Sequence, residues 1–396
     1  MIAWPSALQW TYVSNKPIEP SVYKKLTFNS SHHDYSDAIA NVTSGLKLIK
    51  QNTDEFKTTT SSQQGNSKDQ IICDKRKFIV FRCVKRCGGL GDRQKGMISS
   101  YLAALLTNRT FIIDMQIPCA LETSLVPNEY DWITCKEYAI NVPNEQITHI
   151  QRIGRGTGYP FNSLEVVKDW TTQVVFMSIN WYAIDLIRNL VKENNISHMQ
   201  WLIDTPNTKV IYKLMNVLFQ PIDSMTSELD DFLSTHVRGK TLICGHVRVG
   251  KNPSMPSDVD FHQGFRGYPN ITKILSFFRQ FSDYSKYVIY LATDSVEVRQ
   301  NARAALDNIV SLNKTIVHVD RYRQDKHDEA CTGLYDAVQE QMLLTRCNEY
   351  LLTKSNFGVL GALMGNNAKS VNLYKGETQE IVNVSLWEIL DVHKLI

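Results

Sequence analysis

His246 and Arg248 stand two apart in the stretch GHVRVG, at the end of the apolar, β-branched run KTLICGHV. Residues two apart on a strand share a face, so both side chains point the same way. A buried guanidinium is costly without an anionic partner. A diphosphate suits it, because the planar fork holds two oxygens at once. An ion pair inside the fold is the competing use of the same arginine, and His246 alone is equally well explained as a satisfied core histidine. Asp294 and Ser295 end the next apolar run, KYVIYLATDS. A carboxylate there can accept from a purine N1–H and exocyclic amine, the pattern that reads guanine. Asp or Ser directly before the helical stretch VEVRQNARAAL is equally expected as an N-cap. Ser355 and Phe357 follow a further run, EYLLTKSNFG. Ser355 is placed to cap the helix GVLGALMG while its hydroxyl and amide meet a phosphate. Phe357 could stack on a base or fill core.

A second group lies far upstream, in CGGLGD at 87–92. Gly88, Gly89 and Gly91 permit positive φ and close backbone approach, and the helix that follows points its first amides outward. That suits a phosphate, a sugar or a neighbouring loop; a tight structural turn is the plainer use. The stretch does not fit G-x-G-x-x-G, and Met97-Ile98 stand where a P-loop needs Lys-[ST]. Cys83 and Cys87 lack a second ligand pair, so zinc has little support.

The elements that must position these residues alternate. KFIVFRCV is strand-like, KGMISSYLAALLTN has helical apolar spacing and TFIID is strand-like, which makes a βαβ unit. Downstream, five strand-like runs (KTLICGHVRVG, KYVIYLATDS, KTIVHVD, EYLLTKS and KSVNLY) alternate with helical ones. This predicts a parallel, doubly wound sheet whose ligands gather at the strands' carboxyl ends. The stretch from about 120 to 230 reads as mixed, with helices near INWYAIDLIRNLVKE and TKVIYKLMNVLFQPI. Residues 1–72 are polar and Ser/Thr-rich and read as a stem or linker, with one short helix near DAIANVTSGLKLIKQ. The expected architecture is α/β: this stem, an N-terminal α/β domain at 73–232, and a C-terminal Rossmann-like domain at 233–396, with a cleft between the two domains.

The chain of 396 residues is 43% hydrophobic and 21% charged, ordinary for a globular protein of two domains. A net charge of +3 without basic runs argues against nucleic acid. No apolar run is long enough for a transmembrane helix, so no membrane anchor is expected within this chain. The opening MIAWPSALQWTYV is a poor signal peptide. Seven N-x-[ST] sequons, at Asn29, Asn41, Asn108, Asn195, Asn270, Asn313 and Asn383, are about twice what average composition supplies. They point to a lumenal protein, against the plainer reading of chance in an Asn-rich chain. Eight cysteines, an even number, suit the same compartment.

GGLGD with its helix and TNRTFIID, then GHVRVG, LATDS, YDAVQEQMLLTRC and SNFG, occur in one order over roughly residues 77–375. In that order the chain resembles the GDP-fucose-dependent fucosyltransferases of the α1,2/α1,6/protein-O superfamily. It is similar to the bacterial nodulation α1,6-fucosyltransferase in the C-terminal half and to plant-type α1,2-fucosyltransferases at the glycine turn and SNFGVLGALMG. The resemblance implies a GT-B fold of two facing Rossmann-like domains, the donor held by the C-terminal one. It implies inverting transfer of fucose from GDP-fucose to a glycan or glycoprotein hydroxyl, without metal or other cofactor, in the secretory pathway, with the Golgi as the expected compartment. No D-x-D sits at a strand end. Arg248 would hold the diphosphate, His246 position guanosine, Asp294 contact guanine, and Ser355 with Phe357 close around the nucleotide; Ser295 and Gly250 complete the donor set. Gly89, Gly91 and Asp92 would face the fucose, with Asp92 the candidate base. One departure is that family members often carry an acidic residue shortly after the H-x-R, where this chain has Lys251-Asn252. That bears on the acceptor side, not the nucleotide side, and supports one rival, a non-catalytic glycan- or nucleotide-binding protein on the same scaffold; a transferase using another nucleotide sugar keeps the fold and changes the donor.

Overall fold

The computed structural model describes residues 73–84, 87–152, 160–250, 269–312, 314, 317–320, 327–368 and 370–393. The expected stem with its short helix lies outside the described residues, as do Lys251-Asn252 and the sequons at Asn29, Asn41 and Asn313.

Two sheets form the frame. The first is built from β1 (Phe78–Cys83), β2 (Thr110–Met115), β3 (Ile147–Arg152) and β4 (Val174–Ile179), with helix α1 (Leu90–Leu106) joining β1 to β2. Its order is β2-β1-β4-β3 and every pairing is parallel. β1 lies between two neighbours and is buried on both faces, so its sequence is a near-continuous apolar run. β3, ITHIQR, sits at the edge. Its two isoleucines stand three apart, a helix-like spacing, which is why this part of the chain reads as mixed. Among the helices that follow, the three longest are α2 (Ile184–Glu193), α3 (Asn207–Leu218) and α4 (Asp223–His236). The first two stand where the apolar spacing predicts them.

The second sheet contains β5 (Thr241–Val247), β6 (Tyr287–Thr293), β7 (Ile309–Val310), β8 (Glu349–Leu352), β9 (Ser370–Lys375) and β10 (Glu380–Ser385). Between them run α5 (Ile271–Phe278), α6 (Val296–Ala305), α7 (His327–Leu344) and α8 (Asn356–Gly365). The order is β10-β9-β8-β5-β6-β7, parallel except for β10. Four of the five expected strands are present. KTIVHVD forms no strand among its described residues; Ile309–Val310 pairs with β6 instead. The reason is packing. Val317 lies against Gly333 of α7, and Val319 is buried beside a bond to Arg93, so this apolar run faces helices rather than a ladder.

Each sheet reverses direction at its centre. β1 leads outward to β2 on one side and meets β4 on the other; β5 leads to β6 and β7 and meets β8. Those two reversals, β1/β4 and β5/β8, are topological switch points, where a crevice opens at the strands' carboxyl ends. The hydrophobic core runs continuously through both halves. The Cys119–Cys331 disulfide also joins them. The division expected at 232–233 falls inside α4, and the chain's last turns pack back on the N-terminal half, where Thr208 Oγ1 donates to the Trp387 carbonyl at 2.8 Å. Among the described residues no helix is long and apolar enough to cross a membrane.

Candidate active site

At the second sheet's switch point, β5 ends in His246-Val247 and the chain turns through Arg248, Val249 and Gly250. β8 ends beside it, and Thr353 ties the two together: its Oγ1 accepts from the Arg248 amide at 2.8 Å, and its amide donates to the His246 carbonyl at 2.9 Å. Asp294, after β6, closes the loop. Its carboxylate accepts from the Val249 amide (2.7 Å), the Gly250 amide (2.8 Å) and the Arg248 guanidinium. Arg248 and Asp294 are therefore brought together, as an ion pair. This changes the expectation for Asp294. Both its oxygens are engaged by the loop that carries Arg248, so it shapes that loop rather than standing open to a guanine edge.

Ser295 is also placed differently from the expected donor set. It is buried, and its Oγ accepts from the Val298 amide at 3.3 Å, so it serves as the N-cap of α6. Ser355 shows the reverse. It precedes α8, is buried, and makes no side-chain cap bond, so its hydroxyl is not committed to the helix's first amides. His246 lies below, buried, its ring centroid 5.1 Å from that of Phe357. It supports the first turn of α8.

On the opposite wall, the glycine turn is shorter than the sequence suggests. Helix α1 begins at Leu90, so Gly91 and Asp92 belong to its first turn. A Cβ on Gly91 would come within 3.0 Å of Asn356 Cβ and of the Phe357 amide nitrogen. Glycine is needed here because the N-terminus of α1 meets the N-terminus of α8. A Cβ on Gly89 would touch nothing within 4 Å, so that backbone borders open space. Asp92 Oδ1 receives Lys95 Nζ at 2.8 Å and Asn356 Nδ2 at 3.2 Å; Oδ2 accepts no hydrogen bond among the described residues. The side chain is 38% exposed. Tyr182, from the segment after β4, lies with its ring 5.8 Å from Lys95 Nζ. Burial, followed by the charge of Asp92, holds its phenol far above the ordinary range.

The residues that weld the two walls carry no sequence signal. Arg93 is wholly buried: Nε donates to the Gly88 carbonyl (2.9 Å), Nη2 to the Val319 carbonyl (3.0 Å) and the Asp320 carboxylate (3.2 Å), and Nη1 to the Ile117 carbonyl. Asp320 also accepts from the Cys87 amide at 2.7 Å. Beside them Gln94 and Gln341 exchange bonds of 2.6 and 3.0 Å. A run of polar residues in a helix's first turns reads as a solvated face. In the structure α1 is instead buried on nearly every side. Behind Asp294, Glu340 of α7 has its carboxyl pushed up to about 7, by burial first and then by Asp336 and Asp294, against the pull of Arg299. Among the described residues no cluster of three or more His, Cys, Asp or Glu could hold a metal ion.

No family model matches the sequence, and no curated protein does either. Solved structures do match. The fucosyltransferase NodZ from Bradyrhizobium superposes with a TM-score of 0.51 at 13% identity, over 78% of this chain and 99% of that one. An Arabidopsis thaliana FUT1 mutant in complex with GDP gives 0.54 at 13% identity, over 89% and 83%. At this identity the likeness carries the fold: two facing α/β halves, the GT-B fold that the resemblance implies.

Proposed function

We propose that the protein transfers fucose from GDP-fucose to a hydroxyl of a glycan or glycoprotein, with inversion and without a divalent metal. The observation that carries this reading is the meeting of two helix N-termini, α1 and α8, beside Arg248 at the switch points of both sheets. Each N-terminus is equivalent to roughly half a positive charge, and exposed amides bind phosphate oxygens directly. Together with the Arg248 fork, whose charge the Asp294 carboxylate offsets in part, this is positive potential set where a diphosphate leaves. In this reading the half beyond about residue 233 holds the donor and the half before it forms the acceptor wall.

The reaction is a single displacement. The acceptor oxygen attacks the fucose anomeric carbon from the face away from the diphosphate. The bond from that carbon to the β-phosphate oxygen breaks, its electron pair leaves with GDP, and the hydroxyl proton passes to a base. Asp92 Oδ2 is the candidate: Lys95 and Asn356 fix the carboxylate through Oδ1. Alignment of acceptor and leaving group accounts for the rest. Four disulfides engage all eight cysteines, which suits an oxidising lumen such as the Golgi.

The test is GDP release and fucose transfer to a glycan array, with EDTA present. Transfer that survives EDTA supports the reading. Dependence on added manganese overturns its metal-free part. Turnover of a different nucleotide sugar moves the donor, and GDP binding without turnover of any donor favours a binding protein.

A further inference from the structure

Four sequons fall on described residues, and the fold treats them in two ways. Asn383 and Ser385 are both engaged by structure. Asn383 Nδ2 donates to Ser370 Oγ (3.2 Å) and Asn372 Oδ1 (3.1 Å) across the β9–β10 ladder, and Ser385 Oγ accepts from the Trp387 amide (3.3 Å). Asn270 is the N-cap of α5, its Oδ1 accepting from the Lys273 amide at 3.1 Å. Asn108 and Asn195 differ. All four asparagines are exposed, but only these two have left-handed backbone, φ 51° and 49°, just past the ends of α1 and α2. Asparagine is favoured in that conformation, which accounts for Asn but not for the hydroxyl two residues on. Asn366 makes the same kind of turn after α8 (φ 50°) and is followed by Asn367-Ala368, without a hydroxyl. Neither Thr110 nor Ser197 makes a side-chain hydrogen bond among the described residues. The Asn108 amide group makes none either, and Asn195 only accepts, from Gln200 Nε2 at 3.2 Å.

We infer that Asn108 and Asn195 are N-glycosylation sites, and that Asn383 is not. The bond formed joins Asn Nδ2 to the anomeric carbon of a lipid-linked oligosaccharide. The anomeric carbon–phosphate oxygen bond breaks, the lipid diphosphate leaves, and the amide loses one proton. The placement fits a working enzyme. His198 Nε2 lies 3.0 Å from the Leu105 carbonyl, so the two turns stand side by side. They lie at the far end of α1 from Asp92; its 17 residues put them about 25 Å from the cleft. Glycans there leave the cleft open. This rests on the lumenal compartment proposed above.

The test expresses the full chain behind a signal peptide in a secretory host, which supplies that compartment whatever the enzyme's donor proves to be. Peptides are mapped after N-glycosidase treatment in heavy-oxygen water. Label is expected at Asn108 and Asn195 and not at Asn383. Thr110→Ala and Ser197→Ala keep each asparagine turn but break its sequon; each is expected to remove one glycan mass and leave the melting temperature unchanged. Unlabelled Asn108 and Asn195, or label at Asn383 equal to theirs, overturns the inference.

Discussion

The two walls of the cleft are held in place by different means. The wall built from the second sheet is self-sufficient: Arg248, Val249 and Gly250 are fixed by Asp294 and Thr353, all from one sheet. The wall built from the first sheet is held from the chain's other half. Its glycine turn is anchored through Arg93 to Asp320, its helix through Gln94 to Gln341 and Asp92 to Asn356, and the segment after β2 through Cys119 to Cys331. Bonds within one sheet suffice to fix Arg248 at a strand end. Fixing Asp92 requires the other half of the molecule as a template.

The largest expected effect strikes the cross-cleft weld. Arg93→Met leaves the Asp320 carboxylate buried, 6% exposed, without its partner. Breaking such a pair costs about 3–5 kcal/mol. Chemical denaturation should register that loss, and adding Asp320→Leu should recover a large part of it. A Met variant as stable as the parent would mean that the halves are not held by this pair.

Arg248→Lys is next. It keeps the charge and loses the fork, and if the fork acts mainly in the transition state the cost is on the order of 3 kcal/mol, about 100-fold in kcat. Turnover and melting should be measured on one preparation. A variant that is less stable yet turns over normally per folded molecule would reduce Arg248 to the ion pair with Asp294.

Glu340 tests the second sheet's half alone. Its folded pKa, about 7, lies above the ordinary 4.5, so the folded state holds the proton more tightly. Its contribution is most favourable below about pH 4.5, declines as pH rises to 7, and is fully unfavourable above that. The span is on the order of 3 kcal/mol. Glu340→Gln should flatten stability between pH 4.5 and 7.5 and raise it at the upper end relative to the parent. An unchanged pH profile would remove Glu340 from the account.

The smallest effects come from the two glycines at the N-terminus of α1, compared with each other. Gly91→Ala forces a Cβ against the backbone of α8 and should cost about 1–2 kcal/mol through overpacking. It should also slow turnover by parting the two helix N-termini. Gly89→Ala meets open space and should change stability by less than about 0.5 kcal/mol. Any loss of activity it causes then reports contact with substrate. Equal losses of stability in both would deny that the helices meet at Gly91.

The sequence by itself determined the alternation of strands and helices, because buried parallel strands and the helices covering them carry their periods locally. It also placed Arg248, Asp294 and Ser355 at strand ends, since a strand's end is marked by where its apolar run stops. It did not reveal β3, whose edge position relaxes the apolar pattern, nor that KTIVHVD would pack on α7. Ser295 as cap and Asp294 as clamp were among the uses its residue types allow; choosing between them needed neighbours contributed by other strands. Arg93, Gln94, Asp320 and Gln341 were invisible. A polar residue in a helix looks solvated until another half of the chain, more than 200 residues away, covers it. Burial and partnership over such separations are properties of packing, and only the tertiary structure decided them.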